Sequence, residues 1–318
     1  MSTPAKHPHL ADLVARARGL GALAVAVAYP CSRDAVEAAF AARQLGLIEP
    51  VLVGPRDPIL RAASEAGVPP GELHIEDSPD DRRAAARLAV DLCRQGRVAA
   101  LMKGSLHTEE LLAAAVAKDA GLRSARRISH VFVLDVPGVA RPLLMTDCVV
   151  NIAPGLVEKR DIVQNAIDFA RALGIDPPRV AILSAVETVN PAIPGTLDAA
   201  ALCKMVDRGQ ITGGVLDGPL AFDNAISAEA ARTKGIQSPV AGRPDILVVP
   251  GLEAGNMLYK ELVYLSGAGC AGLVLGVRVP IVLTSRADSI ESRIASCALA
   301  VLHAKPGAAV ANDAPHHA

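Results

Sequence analysis

Ser285 and Arg286 stand side by side where a short apolar run ends, in PIVLTSRADS over residues 280–289, with Asp288 just beyond. A hydroxyl, a guanidinium and a carboxylate at one strand exit can share a proton, grip an anion or start a helix. Two readings of the spacing stay open. Ser-x-x-Asp ahead of an apolar-periodic helix is a capping box. The same place is the positive end of a helix at the carboxyl end of a strand. There backbone N–H groups attract an anion and an adjacent arginine holds phosphate through two bonds. A cap residue that faces a cleft satisfies both readings.

A second cluster, Lys103-Gly104-Ser105-Leu106-His107-Thr108, follows an apolar strand and opens a helix. Gly104 lets backbone approach a ligand and Lys103 brings a charge. The G-x-x-x-x-G-K-[ST] pattern is missing, so this is not a P-loop. The alternative is an ordinary turn with Thr108 as cap and His107 exposed. A third cluster lies in PDILVVPGLEAGNMLYKELVYL, residues 244–265, where Asn256, Tyr259 and Lys260 follow Pro250-Gly251. Asn256 and Lys260 share a helix face, which reads equally as a solvated polar face. Asp147, Cys148 and Asn151 follow another strand; a lone cysteine there is structural more often than reactive. Asp217-Gly218-Pro219 reads as a turn and His130, inside an apolar run, as a core histidine. The six cysteines are scattered, and no metal-ligand spacing, G-x-S-x-G elbow or dinucleotide fingerprint occurs. These residues reach as far as an α/β enzyme that handles an anionic small molecule.

The elements that position them alternate. Apolar strands are expected at 22–28, 50–53, 98–102, 179–183, 211–216, 245–249, 272–276 and 281–284. Helices are expected between them at 33–45, 79–95, 108–119, 156–173, 196–207, 225–234 and 254–265, with a last one at 288–303. Ser78 reads as the cap of the second helix, with Pro79 in its first turn and Asp81 completing a capping box. Strands 128–134 and 143–146 flank DVPGVARP and read as an antiparallel pair that interrupts the alternation. Alternating strands and helices imply parallel α/β architecture. The chain of 318 residues suits two domains. The expected boundaries are a discontinuous first α/β domain of residues 1–125 and 277–318, closed by the last helix, and a second of residues 126–276.

Composition removes several function classes. Hydrophobic residues at 51% bury a large core, and a formal net charge of −1 offers no field for nucleic acid or an anionic membrane. Aromatics at 2%, with no Trp, leave no base-stacking platform. The start, MSTPAKHPHLADLVARARG, has no apolar h-region, and no apolar run reaches membrane-spanning length. The expectation is a soluble, cytoplasmic protein without nucleic-acid or membrane partners and without a metal.

Six motifs in order, KGSLHTEELL, LMTDCVVNIAP, LSAVETVNPAIPGT, GGVLDGPLAFDNAIS, PDILVVPGLEAGNMLYK and VPIVLTSRADS, resemble the phosphate acetyl/butyryltransferase family over residues 22–303. They are most similar to its phosphate butyryltransferase-like branch. The resemblance implies a fold like isocitrate and isopropylmalate dehydrogenase, two α/β domains with a cleft between, and a homodimer or higher homo-oligomer. It implies interconversion of acyl-CoA and phosphate with acyl phosphate and CoA, with CoA a substrate and no resident cofactor. Ser285 and Arg286 match a catalytic Ser-Arg pair: Ser285 meets the CoA thiol, Arg286 holds phosphate. Gly104, Ser105 and His107 match a Gly-x-x-His loop, and Asn256, Tyr259 and Lys260 match a segment walling the CoA site. Two departures stand out. Ser292 occupies the position, seven after the serine, where acetate-pathway members carry an acid, so Asp288 or Glu291 is the candidate base. No arginine follows in the helix near Ala113, and Lys103 can take part of that charge. Two rival functions remain: an NAD- and metal-dependent dehydrogenase on the same fold, and a non-catalytic acyl-CoA-binding protein.

Overall fold

The computed structural model describes residues 6–118, 122–285 and 288–305. It divides into two compact units, residues 11–126 with 271 onward, and residues up to 10 with 127–270.

After α1 (Pro8–Arg18), the first unit alternates β1 (Leu23–Ala28), α2 (Arg33–Gln44), β2 (Ile48–Gly54), α3 (Arg56–Glu65), β3 (His74–Asp77), α4 (Arg82–Arg94), β4 (Ala100–Lys103) and α5 (Thr108–Ala115). The apolar LAVAVA of β1 is buried at five of its six positions, as a central parallel strand covered on both faces requires. α4 starts later than its sequence suggests. Asp81, not Ser78, is its cap and accepts the N–H of Arg83 at 2.8 Å. The Ser78 hydroxyl turns instead to the carbonyl of Pro79.

The second unit holds β5 (Ser129–Asp135), β6 (Leu143–Thr146), α6 (Leu156–Ala172), β7 (Arg179–Leu183), α7 (Pro194–Asp207), β8 (Val215–Leu220), α8 (Phe222–Ile226), α9 (Ala228–Thr233), β9 (Ile246–Val248) and α10 (Leu252–Tyr264). β5 and β6 are antiparallel, turned through Pro137-Gly138 with Gly138 at φ +81°. β6, β9, β7 and β8 follow in parallel. The one helix expected at 225–234 is two, because Ser227 is extended and caps α9 through the N–H of Ala230. The chain returns through β10 (Gly269–Leu275) and β11 (Ile281–Val282) to α11 (Ile290–Ala304), which packs on α2.

In the first unit the strand order is β3-β2-β1-β4-β11-β10, with β11 parallel to β4 and β10 antiparallel to β11. β2 and β3 build outward on one side of β1, and β4 returns to its other side. That reversal makes the carboxyl ends of β1 and β4 a topological switch point, where open α/β sheets leave a crevice for ligands. Among the described residues no helix is long and apolar enough to cross a membrane.

Candidate functional site

Three loops leave the switch point together, because β1, β4 and β11 are neighbours with a common direction. The ladder between β1 and β4 continues past the strands: Gly104 N–H donates to Ala28 O at 3.0 Å and Ser105 N–H to Tyr29 O at 2.8 Å. This close approach decides the residue at 104. A Cβ there would collide with the carbonyl of Ala28 and stand 2.7 Å from that of Tyr29. Backbone carbonyls tied into the ladder cannot move aside, so glycine is required. Tyr29 itself takes a left-handed turn, φ +52°, to present that carbonyl. Its hydroxyl donates to Asp80 at 2.6 Å, a bond that pushes its pKa up to about 12.

A cavity of about 280 Å³ opens between the loops. Ser32 and Asp34 border it from the start of α2, Lys103 to Ser105 from the end of β4, and Thr284 and Ser285 from beyond β11. Arg82 and Arg293 complete the wall. Lys103 and Arg82 against Asp34 make a place for an anion, while the Arg293 guanidinium is turned to the carbonyls of Ser285 and Asp288. The start of α2 adds its dipole. Ser32, the cap residue, makes no side-chain bond to the helix and instead receives the Ser105 hydroxyl at 2.8 Å. Lys103 is only 9% exposed, and the guanidinium of Arg82 lies 5.9 Å over the Tyr29 ring.

The Ser285 turn has its own hydrogen bonds. Ser285 N–H donates to Asp288 Oδ2 at 2.6 Å, and Asp288 N–H returns to Ser285 O at 3.3 Å. The capping box expected here is therefore not what starts the helix. Ser289 caps α11, accepting the N–H of Ser292 at 3.2 Å, and Asp288 is left to close the turn before it. Burial pushes the Asp288 carboxyl up from its ordinary value, while the Ser285 N–H, Arg293 and Lys103 pull it down. Arg286 lies outside the described residues.

His107 takes the cap position of α5 in place of Thr108, and its N–H donates to Glu110 Oε2 at 2.8 Å. It is exposed and does not border the cavity. The α10 residues belong to the other unit. Asn256 Nδ2 donates to Cys148 O at 3.3 Å, and Lys260 is exposed. Tyr259, expected as a substrate contact, is a core residue: its ring stacks on Phe132 at 3.9 Å and its hydroxyl meets Cys270 Sγ at 3.8 Å. Asp147 is a loop organiser, accepting the N–H groups of Val149, Val150 and Asn151. Among the described residues no group of three or more His, Cys, Asp or Glu is placed to hold a metal ion.

Five polar or charged site residues escape a reading of the sequence: Ser32, Asp34, Arg82, Thr284 and Arg293. Arg293 alone leaves a signal, a charge in a closing helix that is mostly apolar. Arg82 follows an aspartate cap and looks like a solvated first-turn residue.

The comparisons with known proteins agree with the motifs. Residues 73–301 match the family model described as phosphate acetyl/butaryl transferase. A phosphate acetyltransferase of Rhizobium meliloti is 58% identical over 301 residues, covering 95% of each chain. A phosphate butyryltransferase of Clostridium acetobutylicum is 43% identical over 278 residues, covering 87% of this chain and 92% of that one. Among solved structures, a branched-chain phosphotransacylase of Enterococcus faecalis superposes with TM-score 0.78 at 30% identity, covering 89% of this chain and 99% of the other. The dehydrogenase-like α/β fold implied by the resemblance holds.

Proposed function

The chain belongs to the phosphate acetyl/butyryl transferase family, and we propose that it transfers a short acyl group directly between CoA and phosphate in the crevice at β1, β4 and β11. The observation that carries this reading is the gathering of Lys103, Arg82 and the α2 start around a cavity with Ser285 on its rim. Lys103 and Arg82 are the cations offered to phosphate. Gly104 lets the β1 and β4 loops close up beside that anion, and Ser105 borders it. Arg286 and His107 join them on the strength of their motifs, and Asn256 and Lys260 of α10 are assigned to substrate binding on the same ground.

In the direction that forms acyl phosphate, a phosphate oxygen attacks the thioester carbonyl carbon. The carbonyl becomes a tetrahedral oxyanion, which collapses with cleavage of the C–S bond. The phosphate proton is lost and the CoA sulfur gains one. One well-placed donor to such an oxyanion contributes about 3–4 kcal/mol, and the cationic side chains bordering the cavity suit that task. Ser285 is the hydroxyl offered to the sulfur. In the reverse direction the thiol, only a few per cent ionised at pH 7, must lose its proton. Asp288, with its carboxyl raised by burial, is the acceptor within that turn. Holding phosphate and thioester in one orientation supplies much of the remaining acceleration.

The reading takes acyl-CoA, phosphate and acyl phosphate as substrates, CoA as no resident cofactor, a homodimer or higher homo-oligomer, and a cytoplasmic location. The test is phosphorus NMR of purified protein with acetyl-CoA, phosphate and a metal chelator. A growing acyl phosphate signal is expected. Intact acetyl-CoA after long incubation with folded protein would sink the reading in favour of a binding protein.

A further inference from the structure

We propose that Arg293 is a positioning residue for Ser285, an inference that rests on the transferase reading above. Arg293 sits one turn into α11 and is 8% exposed, followed in the helix by the buried Ala295, Ser296 and Cys297. Its guanidinium spans the turn that carries Ser285: Nη2 donates to Ser285 O at 3.2 Å and Nε to Asp288 O at 3.3 Å. The Asp288 carboxylate receives Ser285 N–H from the same turn. Ser285 is thus held at its carbonyl by a cation and at its N–H by an anion.

The starting turn of α11 has no need of this arrangement, because Ser289 supplies its cap. A guanidinium is costly to bury, and Arg293 directs two donors at carbonyls of the Ser285 turn. The planar fork of arginine places two donors at fixed spacing, which a single ammonium cannot reproduce. The same side chain forms part of the cavity wall, so the clamp and the anion site share one rigid edge. Misplacing a reacting group by about 1 Å costs on the order of a hundredfold in rate. Arg293 therefore fixes where the Ser285 hydroxyl stands relative to bound phosphate.

The test compares wild-type protein with Arg293→Lys and Arg293→Met for phosphate-dependent thiol release from acetyl-CoA, with thermal melts alongside. The expected result is a kcat lowered on the order of tenfold to a hundredfold in both variants, with little change in phosphate KM. Lysine keeps the charge and is expected to fold, so its loss isolates the fork. Added guanidinium ion is expected to restore part of the Arg293→Met turnover. A kcat near wild type in Arg293→Lys would overturn the proposal, as would a raised phosphate KM at unchanged kcat, which marks a substrate clamp. Wild-type protein that releases no thiol would instead overturn the transferase reading itself.

Discussion

Gly104 stands in the loop from β4 to α5 and Gly255 in the first turn of α10, each beyond a parallel strand, and neither has room for a Cβ. What fills the space differs. At Gly104 it is the carbonyl backbone of Ala28 and Tyr29. At Gly255 it is side chain: Val249 Cγ2 at 2.6 Å and Cys148 Sγ at 3.0 Å. The first glycine lets two loops share hydrogen bonds and open a polar crevice lined by Lys103 and Ser105. The second seats α10 on a core that includes Tyr259 and Phe132. The same punctuation in sequence thus opens a crevice in one unit and seats a helix in the other. The difference lies in whether the near neighbour is backbone or side chain.

That contrast can be broken by experiment. Gly104→Ala is expected to cost most, roughly a hundredfold in kcat/KM, because the ladder carbonyls cannot yield without moving Lys103 and Ser105. Steady-state kinetics with acetyl-CoA and phosphate would measure it, and near-normal turnover would remove the loop from the site. Gly255→Ala is expected to lower stability by about 1–3 kcal/mol in urea unfolding while the folded fraction keeps its turnover. The opposite outcome, full stability with lost activity, would make α10 a catalytic element.

A smaller effect is expected at His130, whose buried ring nitrogens both lack a hydrogen-bond partner. Burial pushes its pKa down to about 3, against about 6.5 in an unfolded chain. The folded state resists protonation, so its contribution to stability is complete above pH ~6.5 and is lost as pH falls towards the folded value. His130→Leu is expected to flatten the decline in melting temperature between about pH 6 and pH 4. An unchanged slope would assign that decline to other groups.

Much of this was legible before any coordinates. The strand 179–183 and the antiparallel pair around Pro137-Gly138 emerge where apolar pattern and turn residues agree. β8 is different. Its sequence suggests a strand at 211–216 stopped by Gly218-Pro219, yet the strand spans Val215–Leu220 and contains both. A Cβ at 218 would lie 2.7 Å from that of Ile182, so the glycine is there for strand approach rather than for a turn. Ser285 and Lys103 are legible as polar residues at strand exits. Arg82 is not, and Arg293 shows only as a charge in a mostly apolar helix, because a charge on a helix normally faces water. Only the strand order, which joins β1, β4 and β11, turns those two helices towards one crevice.

The most direct measurement is thiol release from acetyl-, propionyl- and butyryl-CoA, with and without phosphate, by wild-type protein and Ser285→Ala side by side. The expected result is release that requires phosphate, with a kcat on the order of a hundredfold lower in Ser285→Ala and an unchanged melting temperature. Release indifferent to phosphate, or equal in the two proteins, would contradict a transferase built around Ser285.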